Sequence, residues 1–408
     1  MFQNLPFFEN ITFKEVDQLA ENFALHLVRS GVKKGDRVAF RLPPSQETVA
    51  LFFAIWKLRA CVCPLSLRIP ESQIEAHLSR LDAKCFIDSF PLSLQIRKPL
   101  YAPLPTPSAL LFTSGSSGNP KIAVLALSSL LANAKEVVKA LNLCPGDQWL
   151  LQLPLYHVGG IGIILRCHLA GASITLDPRK TTPTHVSAVP TQLYRSTPRY
   201  PHLKSLLIGG APIASYPEKL PCHLSYGLTE MGSLVTTKLR PEFCEGRPIL
   251  GFPLPGREVR LSAEGEIEVR GTCLFEGYWE GGTIHSKSTA DGWFATGDLG
   301  SFSEQGLSIL GRRDRQFISG GENIQPEEIE HAFLGLPGVI AALVFAQENP
   351  EYGHVPAAFL QMLPPFPTVA SIQSALKERL PKFKIPLSIL FKAELLNQGS
   401  KLNIKNFI

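Results

Sequence analysis

Apolar residues at Val16, Leu19, Ala20, Phe23 and Leu27 recur at the spacing of one helix face, which predicts a helix from Phe13 to Ser30 ended by Gly31. Lys34-Gly35-Asp36 predicts a turn, and the apolar run Arg37 to Leu42 a strand. A second helix is predicted from about Gln46 to Leu58, followed by the apolar segment Ala60 to Leu65. A helix around Glu71 to Leu81 then leads to a strand at Cys85 to Asp88. Helix and strand alternating in this order describe a sheet layered with helices. Residues 91–107 are rich in Pro, Leu and Lys, lack periodicity and read as a connector.

The texture changes after about residue 240. Pro248, Pro253, Pro255 and Gly256 punctuate short alternating strands such as Glu266 to Arg270, which suggests a small β-rich subdomain. The charged turn Arg312-Arg313-Asp314-Arg315 precedes roughly ninety residues with their own strand and helix pattern. The predicted fold class is therefore α/β. A large N-terminal domain of layered α/β sheets with a β-rich subdomain (1–313) is followed by a small α+β C-terminal domain (314–408).

Composition narrows the classes. The chain has 408 residues, 45% hydrophobic and 18% charged, which excludes a disordered or tail-like protein. A mean hydropathy of +0.09 raises the question of a membrane span. The run Val49 to Trp56 stops at Lys57, and Ile161 to Leu176 is interrupted by Arg166 and His168. Neither reaches the ~18 apolar residues a span requires. Glu9, Lys14, Glu15 and Asp17 come too early for a signal peptide, so a soluble, cytoplasmic protein without a transmembrane segment is expected. Net charge is +5 with no run of five like charges, which favours anionic small-molecule ligands over nucleic acid. The eight cysteines include no C-x-x-C pair, and only Cys61 and Cys63 are close, on one face of a strand. Scattered buried thiols are expected rather than zinc ligands or disulfides.

The segment Ala109-Leu110-Leu111-Phe112-Thr113-Ser114-Gly115-Ser116-Ser117-Gly118-Asn119-Pro120-Lys121 runs from an apolar strand into hydroxyls and glycines, then a lysine and a second apolar strand from Ile122 to Leu125. Glycines let backbone N–H groups turn toward one point, hydroxyls donate further bonds, and the lysine adds a mobile charge. Such a loop can cradle a polyphosphate. It is not a Walker loop, because Asn119-Pro120 separate Gly118 from Lys121. A solvated Gly/Ser hairpin is the bland alternative.

Four further strings accompany it: Ser225-Tyr226-Gly227-Leu228-Thr229-Glu230; Thr296-Gly297-Asp298; Gly311-Arg312-Arg313-Asp314 with Ser319-Gly320-Gly321-Glu322-Asn323-Ile324; and Gly399-Ser400-Lys401. Taken together and in this order, the chain resembles the adenylate-forming superfamily of acyl-CoA synthetases, luciferases and peptide-synthetase adenylation domains. Strings at 184–195, 246–259 and 317–330 resemble, within it, the o-succinylbenzoate–CoA ligases of menaquinone biosynthesis. The resemblance implies an enzyme that uses ATP, Mg²⁺ and CoA to activate a small-molecule carboxylate through an acyl-AMP. It implies no oligomeric state. Another aryl- or fatty-acyl-CoA synthetase, or a non-catalytic nucleotide-binding relic, are the alternatives.

The same resemblance implies roles. Thr113, Ser114, Gly115, Ser116, Ser117, Gly118 and Lys121 would grip the β- and γ-phosphates of ATP. Tyr226 would stack on adenine beside Gly227, with Gly209, Gly210 and Ala211 passing close to the base. Thr229 would donate to the α-phosphate and Glu230 would hold Mg²⁺. The rival reading of this string is an ordinary turn before a helix. Asp298, in a tight turn after a short strand, would accept the ribose hydroxyls with Arg312 nearby; a surface Asp–Arg pair is the plain alternative. Asp314 would be the hinge on which a mobile C-terminal domain turns between two half-reactions. Lys401 would steady charge at the α-phosphorus, and Gly320-Gly321 would face a pantetheine tunnel. His157 would stand at the acyl pocket. Thr191 and Arg195, i and i+4 on a helix opened by Pro190, are candidates for the second carboxylate of the substrate. Two departures stand out: Ile122 and Ala126-Leu127 replace small and Thr-His residues of the family, and the terminal string leaves Lys405 as a fallback for Lys401.

Overall fold

Thr12 starts the first helix, Phe13–Arg29, with a capping box: its hydroxyl accepts from the Glu15 amide, and the Glu15 carboxylate accepts from the Thr12 amide at 2.7 Å. The predicted stripe faces inward, with Val16, Ala20 and Leu27 buried and Gly31 taking φ +85° just beyond the helix. The computed structural model describes residues 2–113, 120–195, 200–210, 216–244, 247–392 and 395, without the side chains of Thr191, Tyr194 and Arg195.

The first half builds an eight-stranded sheet. Its strands lie in the order Thr283–His285, Gly277–Glu280, Lys121–Ala126, Ser108–Thr113, Cys61–Pro64, Arg37–Phe40, Cys85–Ile87 and Leu94–Ile96. Arg37–Phe40 pairs in parallel with both Cys61–Pro64 and Cys85–Ile87, and all three strands are buried throughout. Burial on both faces explains why they read as continuous apolar runs. Cys61 and Cys63 are free and buried. The connector reading of 91–107 is corrected at one point: Leu94–Ile96 adds an antiparallel edge strand to Cys85–Ile87. Two of its three residues are exposed, so no apolar pattern marked it.

A six-stranded sheet follows, in the order Ser173–Thr175, Gln148–Leu150, His185–Ala188, Ser205–Ile208, Cys222–Leu228 and Ser233–Leu239. One hydrophobic cluster, from Phe7 to Leu307, joins both sheets through helices that include Gln46–Lys57, Leu127–Ala140 and Val158–Ala170. The β-rich region is an antiparallel sheet of Arg257–Leu261, Glu266–Gly271, Phe294–Ser303 and Gly306–Arg312.

Beyond Arg315 a hairpin, Phe317–Ser319 with Glu322–Ile324, leads into the helix Pro326–Leu334 and a three-stranded sheet of Val339–Asn349, Gly353–Met362 and Ser388–Phe391. This region has its own apolar cluster around Ile329, Phe333, Val344, Leu360 and Leu376. The large cluster and its packed neighbours end at Ile309, and this one begins at Phe317. Among the described residues, no helix is long and apolar enough to cross a membrane.

Candidate active site

Three strand segments carry the candidate residues. The first pair is Ser108–Thr113 and Lys121–Ala126, whose antiparallel register sets Thr113 opposite Lys121. This brings both ends of the phosphate-loop candidate together. Ser114, Gly115, Ser116, Ser117 and Gly118 lie outside the described residues. The Lys121 ammonium stands 5.0 Å from the centre of the Tyr278 ring, within cation–π reach.

The second is the strand Cys222–Leu228, which passes through the short 3₁₀ turn Thr229–Met231 and returns as Ser233–Leu239. The turn leads into a strand, so the helix of the bland reading is absent there. Gly227 is a glycine for space: a Cβ would sit 2.4 Å from the Ser233 carbonyl oxygen. Gly209, just after the neighbouring strand Ser205–Ile208, is also crowded, with Ser225 Oγ 2.5 Å from where a Cβ would lie. Gly210 adopts φ +80°, and Ala211 lies outside the described residues. Thr229 and Glu230 are half-buried. Glu230 Oε1 accepts a 2.7 Å hydrogen bond from the Tyr278 hydroxyl.

The third strand, Phe294–Ser303, corrects the tight turn expected at Asp298. Asp298 lies within a ten-residue strand, opposite Arg312 in register. Gly297, at φ +77°, bends that strand where the pairing with Glu266–Gly271 shifts, so the Thr-Gly-Asp string marks a bulge. A Cβ on Gly297 would lie 2.8 Å from the Arg312 guanidinium. Asp298 Oδ2 accepts from the Tyr226 hydroxyl at 2.7 Å, and Oδ1 accepts from Arg312 Nη1 at 2.8 Å. The plain Asp–Arg pair is thus present, but with Asp298 only 17% exposed it is no solvated surface pair. Burial, with Asp298 beside it, pushes the Tyr226 phenol well above its ordinary pKa. Burial and then Glu230 do the same to Tyr278. Both phenols therefore stay protonated donors at neutral pH.

Arg312 also donates to Asp314, through Nε at 3.1 Å and Nη2 at 3.2 Å. Arg313 pairs with Glu266 at 2.6 Å, and the other oxygen of Glu266 accepts from the Gly297 amide. Arg315 points the other way, to Glu327, Glu330 and the Val344 carbonyl. The arginines on either side of Asp314 thus pair with different elements, Arg313 with the strand Glu266–Gly271 and Arg315 with the helix Pro326–Leu334. Gly320 and Gly321, at φ +55° and +88°, form the hairpin turn after Phe317–Ser319, and nothing lies within 4 Å of a Cβ at Gly321.

His157 precedes the helix Val158–Ala170, with its ring 4.6 Å from that of Tyr156. Crowding by surrounding protein, with the charge of Arg68, holds its pKa below the ordinary histidine value. Pro190 opens the helix Pro190–Arg195 as expected, while the side chains of Thr191 and Arg195 are outside the description, as are Lys401 and Lys405 altogether. Sequence reasoning missed Tyr278 and Glu266. Each lies on a strand whose alternation assigns a face but not the partner chain opposite. Among the described residues no group of three or more His, Cys, Asp or Glu could hold a metal. A single half-buried carboxylate such as Glu230 is compatible with Mg²⁺, which commonly binds through one carboxylate plus substrate phosphates.

The AMP-binding enzyme family matches residues 6–101 and 95–279. The 2-succinylbenzoate–CoA ligase of Salmonella typhimurium is 34% identical over 96% of this chain and 90% of its own. An arginine-to-lysine variant of E. coli MenE with bound OSB-AMS superposes with a TM-score of 0.83 at 31% identity, covering 99% of this chain and 94% of that one. The o-succinylbenzoate CoA synthetase of Bacillus subtilis, in complex with the acyl-adenylate intermediate OSB-AMP, gives 0.82 at 25% identity over 98% and 93%. The phosphate-loop strands, the Tyr226–Asp298–Arg312 contact and these full-length likenesses agree: the chain belongs to the AMP-binding enzyme family.

Proposed function

We propose that this enzyme is an acid–thiol ligase that joins 2-succinylbenzoate to CoA at the expense of ATP, as a step toward menaquinone in the cytoplasm. The observation that carries the reading is the likeness, along nearly the whole chain, to proteins named for that reaction. The substrate carboxylate attacks the α-phosphorus of ATP and pyrophosphate leaves. The CoA thiol then attacks the acyl-adenylate and AMP leaves. No side-chain nucleophile is needed, because positioning and electrostatics carry the phosphoryl step.

In this reading the loop from Thr113 to Gly118, with Lys121, holds the β- and γ-phosphates. Asp298 accepts the ribose hydroxyls, Tyr226 faces adenine between Gly209-Gly210-Ala211 and Gly227, and Thr229 donates to the α-phosphate. Glu230 would hold magnesium, which would supply positive charge to the phosphate oxygens. Arg195 and Thr191 take the second carboxylate, and His157 borders the acyl pocket. The boundary between residues 313 and 314 separates a body from a mobile cap. Asp314 is the pivot, Lys401 serves adenylation, and Gly320-Gly321 leave room for pantetheine in the second step. The separate apolar clusters before Ile309 and after Phe317 support that division.

A pyrophosphate-release assay across 2-succinylbenzoate, simple benzoates and fatty acids tests the reading. Turnover with 2-succinylbenzoate at least about tenfold above the others is expected, since a site built for a second carboxylate rejects acids lacking it. Preference for a monocarboxylate would overturn the substrate assignment, and no release with any acid would overturn the activity.

A further inference from the structure

Beneath the Thr229–Met231 turn lie two buried arginines that make no ion pair among the described residues. Arg166 is 1% exposed and Arg257 is 5% exposed. Arg166 sits on the helix Val158–Ala170, whose other polar side chain is His168, and its side chain runs back along that helix as helical side chains do. Gly162, one turn earlier, leaves the room: a Cβ there would lie 3.0 Å from the guanidinium. The face of Trp149 is 5.5 Å away, and Nη2 donates to Ser233 Oγ at 3.0 Å. Arg257 donates to the carbonyls of Leu234, Pro255 and Asn133. Asn133 Nδ2 in turn donates to the carbonyls of Met231 and Leu234, at 2.9 and 3.0 Å.

These donors converge on the residues that follow Glu230. Ser233 stands at φ +130°, a region a residue with a side chain rarely adopts, immediately after Gly232 at +65°. Its carbonyl is the atom against which Gly227 is packed. Such a conformation persists only where surrounding contacts over-determine it. A buried cation without a counter-ion is costly, and an apolar side chain would fill the space more cheaply. Burial, with Arg257 nearby, lowers the Arg166 pKa to about 9.

We infer that Arg166, with Asn133 and Arg257, is a positioning residue for catalysis: it holds Ser233, and through it the tight turn, so that Thr229 and Glu230 are presented to the nucleotide. This inference rests on the proposed roles of Thr229 and Glu230, and the experiment separates the two.

The variants are Arg166→Met, Ser233→Ala and, as reference, Glu230→Gln. Each is compared with wild type for calorimetric ATP affinity with and without magnesium, for adenylation, and for thioester formation from supplied acyl-adenylate. Arg166→Met and Ser233→Ala should each weaken the magnesium-dependent gain in ATP affinity and slow adenylation by about tenfold, the usual scale for residues that orient a metal ligand. Thioester formation should change little. Arg166→Lys should recover part of the loss. If Glu230→Gln loses the magnesium-dependent gain but the folded Arg166→Met and Ser233→Ala proteins keep it, the positioning inference is wrong. If Glu230→Gln itself keeps the gain, the role given to Glu230 fails instead. Should Arg166→Met not fold, Ser233→Ala alone decides. A purely structural role would lower the melting temperature and both half-reactions alike.

Discussion

The Tyr226 hydroxyl donates to Asp298 Oδ2 at 2.7 Å, joining two strings that lie 72 residues apart. Arg312 takes the other carboxylate oxygen. Asp298 is therefore held in one orientation from both sides before any nucleotide arrives, and a carboxylate fixed in this way can receive a vicinal diol without reorganising. Asp298→Ala should raise the KM for ATP by about tenfold or more and leave ATP and 2′-deoxy-ATP nearly equivalent, whereas wild type should favour ATP. Steady-state kinetics with both nucleotides checks this. Unchanged discrimination in the variant would remove the ribose from Asp298.

Tyr278 links the two elements proposed to face the phosphates, through its hydroxyl to Glu230 and its ring to Lys121. Tyr278→Phe keeps the ring and deletes only the hydrogen bond. The magnesium concentration for half-maximal adenylation should rise about tenfold, the low end of the loss seen when a ligand's supporting bond is removed, with little change in melting temperature. A magnesium titration of initial rates measures it.

Gly227→Ala should destabilise the strand pair that presents Thr229 and Glu230. The added methyl would meet the Ser233 carbonyl oxygen at 2.4 Å, a backbone atom that cannot rotate aside. A cost of about 1–3 kcal/mol is expected, read as a lowered denaturation midpoint. Gly321→Ala has open space for its Cβ, so its cost should come from φ +88° alone.

His223 is buried on the strand Cys222–Leu228, and burial, then His185, lowers its pKa from 6.5 to about 4. The folded state thus prefers the neutral ring. Its contribution is complete above pH 6.5 and is lost as pH falls from 6.5 toward 4, where the unfolded chain binds the extra proton. Across that window stability should fall by about 3 kcal/mol from this group. Denaturant midpoints at pH 7, 5.5 and 4.5 should decline in wild type and decline less in His223→Gln, where His168 and His185, also held below the ordinary histidine value by burial, still contribute.

Much of the fold was legible because the central strands of the first sheet are buried on both faces and helices such as Phe13–Arg29 carry a single apolar stripe. Arg37–Phe40 and Phe13–Arg29 are the plain cases. Leu94–Ile96 was not, since an exposed edge strand needs no apolar pattern. Asp298 was placed in a turn because Gly297 suggested one, yet the glycine serves a bulge beside Arg312. The separate strings of the site were readable, but not the bonds between them. Tyr226 to Asp298, Glu230 to Tyr278 and Arg313 to Glu266 are set by sheet register across long separations, which local pattern does not encode. Arg166 looked like an interruption in an apolar run, and only packing reveals its contact with Ser233.

The proposed chemistry activates an organic acid by transfer of AMP from ATP. Exchange of labelled pyrophosphate into ATP, followed with magnesium and without CoA, tests it most directly. Rapid exchange is expected when 2-succinylbenzoate is present and none when it is omitted. Absence of exchange with the acid present, in protein that binds ATP, would contradict it.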